Sequence, residues 1–167
     1  MSRLEPPSES LDLSYQQVML ASGSHAGFES WMRDRLGDRY GGVWLDGPVL
    51  QVAAVDPTPE DLKDAEAGTP RGLPVAQVVA VRYSADQLEG FLRELNILSH
   101  EPVPDPSLSM TRGLILAFWV DPKANHLRVV VSSDECIVRI QERIPSEAVS
   151  IVVDPGATAW GTTRSHR

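Results

Sequence analysis

Hydrophobic and polar positions along this chain fall into short segments of two periods. In residues 11–20, Leu11, Tyr15, Val18 and Met19 recur on one helical face, and in 26–36 Phe28, Trp31, Met32 and Leu36 do the same. Ser22-Gly23-Ser24 lies between them and Gly37 follows the second, so the pattern predicts two N-terminal helices within 11–38. The period then changes. Val43 and Leu45 alternate with Gly42, Trp44 and Asp46, and residues 49–55 are almost wholly apolar, as in a strand buried on both faces. Asp46-Gly47 joins the two strands, because both residues tolerate the positive φ that tight hairpin turns need. Thr58 is placed to cap a short helix, with Pro59 in its first turn and Glu60 and Asp61 at the positive end of its dipole. Residues 75–83 read as a strand. Ser84 and Gln87 form a capping box for a helix whose apolar face is Leu88, Phe91, Leu92 and Leu95.

The proline- and serine-rich stretch 99–112 reads as a linker. Beyond it come a strand (113–121), a turn, a strand (126–133), a helix (135–144) and a strand (147–153). Asp134 is placed to cap that helix, and Ile137, Val138, Ile140 and Ile144 are its candidates for burial. The order repeats the first half, and Val43-Trp44-Leu45-Asp46 aligns with Phe118-Trp119-Val120-Asp121. The repeated Trp reads as a core or sheet-face residue and the repeated Asp as a turn residue that accepts backbone hydrogen bonds. The expected fold is therefore α+β: two β-hairpin–helix–strand units forming sheets covered by helices, preceded by N-terminal helices. The expected divisions are a disordered tail (1–10), N-terminal helices (11–38), a first unit with its following helix (39–98), the linker (99–112), a second unit (113–154) and a flexible tail (155–167).

Composition narrows the partners. At 167 residues with a net charge of −8, the chain lacks the basic balance that displaces counterions from nucleic acid or seeks an anionic membrane. No apolar run approaches the roughly 20 residues of a membrane helix. Lys63 and Lys123 are the only lysines beside many Arg, Ala, Gly and Pro, a bias that fits a bacterial, GC-rich origin. The polar, acidic start is not a secretory leader, which points to the cytoplasm.

Catalytic chemistry finds little to work with. His25 and His100 fall in expected loops, His126 in a hairpin turn and His166 in the tail, and there is no Gly-x-Ser-x-Gly elbow. Cys136, the single cysteine, begins a helix, but Asp134 and Glu135 oppose a lowered thiol pKa, so it reads as a plain, partly buried thiol. Asp61, Asp64 and Glu66, like Glu142 and Glu147, read as helix-surface acids rather than metal ligands. Gly41-Gly42 is no phosphate loop, since a strand follows and no Lys-Ser/Thr does; close backbone packing explains it. No catalytic, cofactor or metal residue is assigned, and no cofactor is expected.

Several of these segments resemble a known family. Phe28 to Asp46, a helix ending in Tyr-Gly-Gly-Val-Trp-Leu-Asp, is similar to the pro-region of bacterial chymotrypsin-like serine proteases of the alpha-lytic and streptogrisin type. Val81-Arg82-Tyr83-Ser84 with its leucine-rich helix, and Trp119-Val120-Asp121 through Asn125 to Val131, resemble later segments of those pro-regions. The resemblance covers residues 28–153 and implies an intramolecular chaperone and inhibitor, not an enzyme. The expected departure from that pattern is a chain without a protease domain after Arg167. The expectation is a non-enzymatic protein-interaction domain that binds by a strand edge or the helix-free sheet face. Its candidate edges are 127–131 and 151–153, carrying Leu127, Val129, Val131, Ile151 and Val153. The expected partner is a protein, with a serine protease the case the resemblance implies; self-association is also open to such an edge. The alternative is a small acidic immunity or inhibitor protein that masks a basic enzyme surface.

Overall fold

The computed structural model describes residues 9–101 and 115–155, with side chains from residue 23 onward. The tail before residue 9, most of the expected linker (102–112), the first two residues of the strand expected at 113–121 and the tail after residue 155 lie outside the described residues. The architecture is α+β: among the described residues there are four α-helices and two three-stranded sheets. It divides into two compact units, Met1–Ser84 and Ala85–Arg167.

In the first unit, helix α1 (Glu9–Leu36) leads into strands β1 (Tyr40–Asp46) and β2 (Val49–Val55), helix α2 (Pro59–Gly68) and strand β3 (Gln77–Val81). The sheet order is β1-β2-β3; β1 is antiparallel to β2, and β3 is parallel to it across α2. Helix α1 packs on β1, β2 and α2, and it buries Phe28, Met32 and Leu36. It is one helix where the Ser-Gly-Ser pattern suggests two. A glycine inside a helix costs only about 1 kcal/mol, which tertiary packing overrides. The helix also takes in Glu9 and Ser10, at the end of the expected tail.

The second unit repeats the plan. Helix α3 (Ala85–His100) precedes β4 (Ile115–Asp121), β5 (His126–Val131), α4 (Glu135–Gln141) and β6 (Val149–Val153). The order is β4-β5-β6, antiparallel and then parallel. The register repeats as well: a bulge between Tyr40 and Gly42 recurs between Ile115 and Ala117. Helix α3 packs on β4, β5 and α4, as α1 does on its own sheet, so it belongs to the second unit and not, as its sequence position suggests, to the first. The repeat is therefore helix–hairpin–helix–strand. The linker also starts later than expected, since Ser99 and His100 are helical.

Local chemistry explains the turns. Gly47 and Pro48 are the two central residues of the first hairpin, with Gly47 at φ 59°. Positive φ at the first central position followed by Pro suits a type II′ turn, one residue on from the expected Asp-Gly. The second hairpin needs a longer loop, and Asn125 takes the left-handed position at φ 51°. Asp121 accepts the Ala124 backbone N–H at 3.0 Å and Arg128 Nε at 2.8 Å, which makes it the expected turn residue. Thr58 caps α2 through a reciprocal capping box with Asp61. Asp134 makes no side-chain cap, because its own backbone is already helical. In α4, Ile140 is buried, as is Ile144 just beyond it, but Val138 is 60 % exposed on the opposite face.

Candidate interaction surface

Each sheet has a helix-covered face and an opposite face, and strand alternation assigns every residue to one of them. In the second unit Leu127, Val129 and Val131 face the helices and are buried. Strand β5 is central and pairs with β4 on one side and β6 on the other. This corrects the first of the two expected edges. A hairpin followed by a parallel crossover places the hairpin's second strand in the middle, so Leu127, Val129 and Val131 are core residues and β5 offers no free backbone.

The second expected edge is an edge. Among the described residues, β6 pairs only with β5. The Asp154 N–H donates to the Val131 carbonyl at 2.8 Å. Backbone groups alternate sides along a strand, so Ser150, Val152 and Asp154 address β5. The N–H and C=O groups of Val149, Ile151 and Val153 therefore point to the open side. Val152 and Val153 are 55 % and 36 % exposed. The strand carries no charge, no proline and no bulge, the usual devices that protect an edge. The outer edges β1 and β4 both contain a bulge. Val152, which the sequence reading did not single out, is exposed beside this edge; the alternation within Val149-Ser150-Ile151-Val152-Val153 puts it on the face away from the helices.

That face continues inward. Cross-strand neighbours Trp119, Arg128 and Ser150 form one row, and Ala117, Val130 and Val152 form the next. Trp119 is 47 % exposed. It is thus the sheet-face residue expected of the repeated Trp. Its counterpart Trp44 pairs with Gln51, whose amide donates to Gln77 Oε1 at 3.0 Å.

Several acids are engaged by arginines within the fold. Asp61, expected on the helix surface, is only 3 % exposed and takes both guanidinium nitrogens of Arg39 at 2.7 and 2.8 Å. That pair and the Thr58 N–H bring its pKa down to about 2. Asp64 pairs with Arg35, and Glu94 and Glu101 pair with Arg143. Glu29 accepts from Tyr40 Oη and Arg33, and burial, followed by the Glu29 charge, holds the tyrosine hydroxyl well above its ordinary pKa.

The groups considered for catalysis are scattered. His25 lies in α1, with Nε2 3.3 Å from the Val43 carbonyl, His100 ends α3, and His126 begins β5 with Nδ1 donating to the Ala124 carbonyl at 3.1 Å. His166 lies outside the described residues. Cys136 is buried, which pushes its thiol pKa up. Among the described residues, no group of three or more His, Cys, Asp or Glu is placed to hold a metal ion, and no helix is long and apolar enough to cross a membrane. A depression of about 550 Å³ beside the last turns of α3 is lined by Asn96, Ile97, His100 and Glu101; Glu101 is already paired with Arg143. Gly41 has the close-packing role read for it, since a Cβ there would lie 2.8 Å from Ala53 Cβ and from Val81 Cγ2. Compared with protein-family models and with characterised proteins, the sequence matches none.

Proposed function

We propose that this chain is a non-enzymatic protein-interaction domain that captures an extended segment of a protein partner along β6. The observation that carries the reading is the β6 edge, with the backbone groups of Val149, Ile151 and Val153 directed outward and Val152 and Val153 exposed beside them. An added strand would hydrogen-bond to those groups, and alternate side chains would lie against the valines. Within this class we favour a pro-region-like chaperone or inhibitor whose partner is a chymotrypsin-like serine protease, on the strength of the sequence resemblance. The acid-mask alternative has less support, because Asp61, Asp64, Glu94 and Glu101 are taken up by arginines of the same chain.

The test is capture of partners from host lysate by tagged native protein and by Ile151→Pro, followed by mass spectrometry and protease assay. Proline at 151 removes one outward N–H and leaves the bonds of Ser150 and Val152 to β5 in place. The expected result is a stoichiometric partner, a serine protease inhibited on binding, that is lost with Ile151→Pro. A different protein lost in the same way would keep edge capture and discard the protease role. Equal recovery by both proteins would refute capture at β6.

A further inference from the structure

We infer that the β6 edge also pairs with the β6 edge of a second copy, antiparallel about a two-fold axis that passes between the two Ile151 residues and is normal to the sheet. The inference rests on the same open edge as the proposed function and adds a self-complementary occupant. Strand β6 reads Val149-Ser150-Ile151-Val152-Val153. Centred on Ile151, antiparallel pairing sets Ile151 opposite itself and Val149 opposite Val153, all on the helix-covered face. Ser150 then lies opposite Val152 on the outer face. Every outward backbone group finds a partner, because Val149, Ile151 and Val153 of each copy face the same three residues of the other. The small Ser150 leaves room for Val152, and the added strand covers the edge-facing sides of Val152 and Val153 together. The axis places the helices of both copies on one face of a continuous six-stranded sheet, an isologous arrangement that closes as a dimer and cannot grow into a fibre. A second bulge-free edge strand, β3, has no such exposed valines.

Register makes the inference testable. Ile151 with itself is a hydrogen-bonded pair, whereas Ser150 with Val152 is a non-hydrogen-bonded pair with Cα atoms about 4.5 Å apart, within disulfide reach. Full-length Ser150→Cys and Val152→Cys proteins are oxidised separately and as a mixture; the native Cys136 is buried and does not compete. The expected result is a cross-linked dimer in the mixture and little in either protein alone. Sedimentation of the unmodified protein should show a monomer–dimer equilibrium that Ile151→Pro weakens on the order of tenfold, through loss of two symmetry-related hydrogen bonds. Equal cross-linking of Val152→Cys alone would overturn the register. A native protein that stays monomeric and does not cross-link in the mixture would overturn the dimer. In that last case, partner capture that still depends on Ile151 would leave the proposed function standing.

Discussion

Asp61 carries more of the first unit than its sequence context suggests. It caps α2 through the Thr58 N–H at 2.7 Å and neutralises Arg39, which also donates to the Asp56 carbonyl at 3.3 Å, so one carboxylate ties the loop before β1 to the start of α2. Asp61→Ala should cost about 2–4 kcal/mol in denaturant unfolding, from a lost cap and lost charge-assisted bonds. Its folded pKa lies below the unfolded value. Its contribution is thus fully present above about pH 4, the ordinary carboxylate pKa, and is lost as pH falls through about 2. Acid titration of native protein and Asp61→Ala should show their stabilities converging over that window; a constant gap would contradict the assignment. Gly68 closes the other end of α2 beneath Trp31, whose indole N–H donates to the Asp64 carbonyl at 3.0 Å. A Cβ on Gly68 would come within 2.4 Å of Trp31 Cδ1. Gly68→Ala should therefore destabilise by about 1–3 kcal/mol and release the Trp31 fluorescence environment, even though alanine is the better helix former. Neither partnership was legible in the chain. Asp61 sits among ordinary helix acids, and only the fold brings Arg39 to it.

At the scale of elements, what the sequence could and could not supply has a physical reason. Strand positions, the Thr58 cap and the Asp121 turn follow from period and local hydrogen bonding, and the structure has them close to where the pattern puts them. Sheet order is not local. Four residues of one apolar strand look alike whether it is central or at an edge, and that is why 127–131 and 151–153 read as equivalent edges when only β6 is one. Helix α1 shows the converse, with local breakers overruled by packing. A Cβ at Gly23 or Gly27 would meet nothing within 4 Å among the described residues. Gly23→Ala and Gly27→Ala should each stabilise the protein by about 0.5–1 kcal/mol in thermal or denaturant unfolding. A loss of stability at either position would mean that the glycine is needed for a bend or a close contact. Within β6, proline should act by position. Ile151→Pro, which removes an outward N–H and part of a half-buried side chain, should cost clearly less than Val152→Pro, which removes an N–H directed at β5 and should destabilise by about 3 kcal/mol or more.

At the scale of the molecule, the recurrence visible in Trp44 and Trp119 is the trace of a repeated helix–hairpin–helix–strand plan whose leading helix the sequence pattern assigned to the wrong half. A fragment of residues 85–155 should fold cooperatively, because it holds Leu88, Leu95 and Leu98 against Leu127, Val129 and Ile140 as one core. A fragment of 99–155 lacks that helix and should not. Equal folding of both would show α3 to be dispensable to the second unit. The central claim, an open β6 edge able to take another strand, is tested most directly by residue-resolved amide exchange on dilute, monomeric protein. The account predicts slow exchange at Ser150, Val152 and Asp154, whose N–H groups face β5, and fast exchange at Ile151 and Val153, which slows when a second strand is added. Uniform slow exchange across all five amides in the monomer would mean that the edge is already covered, and would contradict the account.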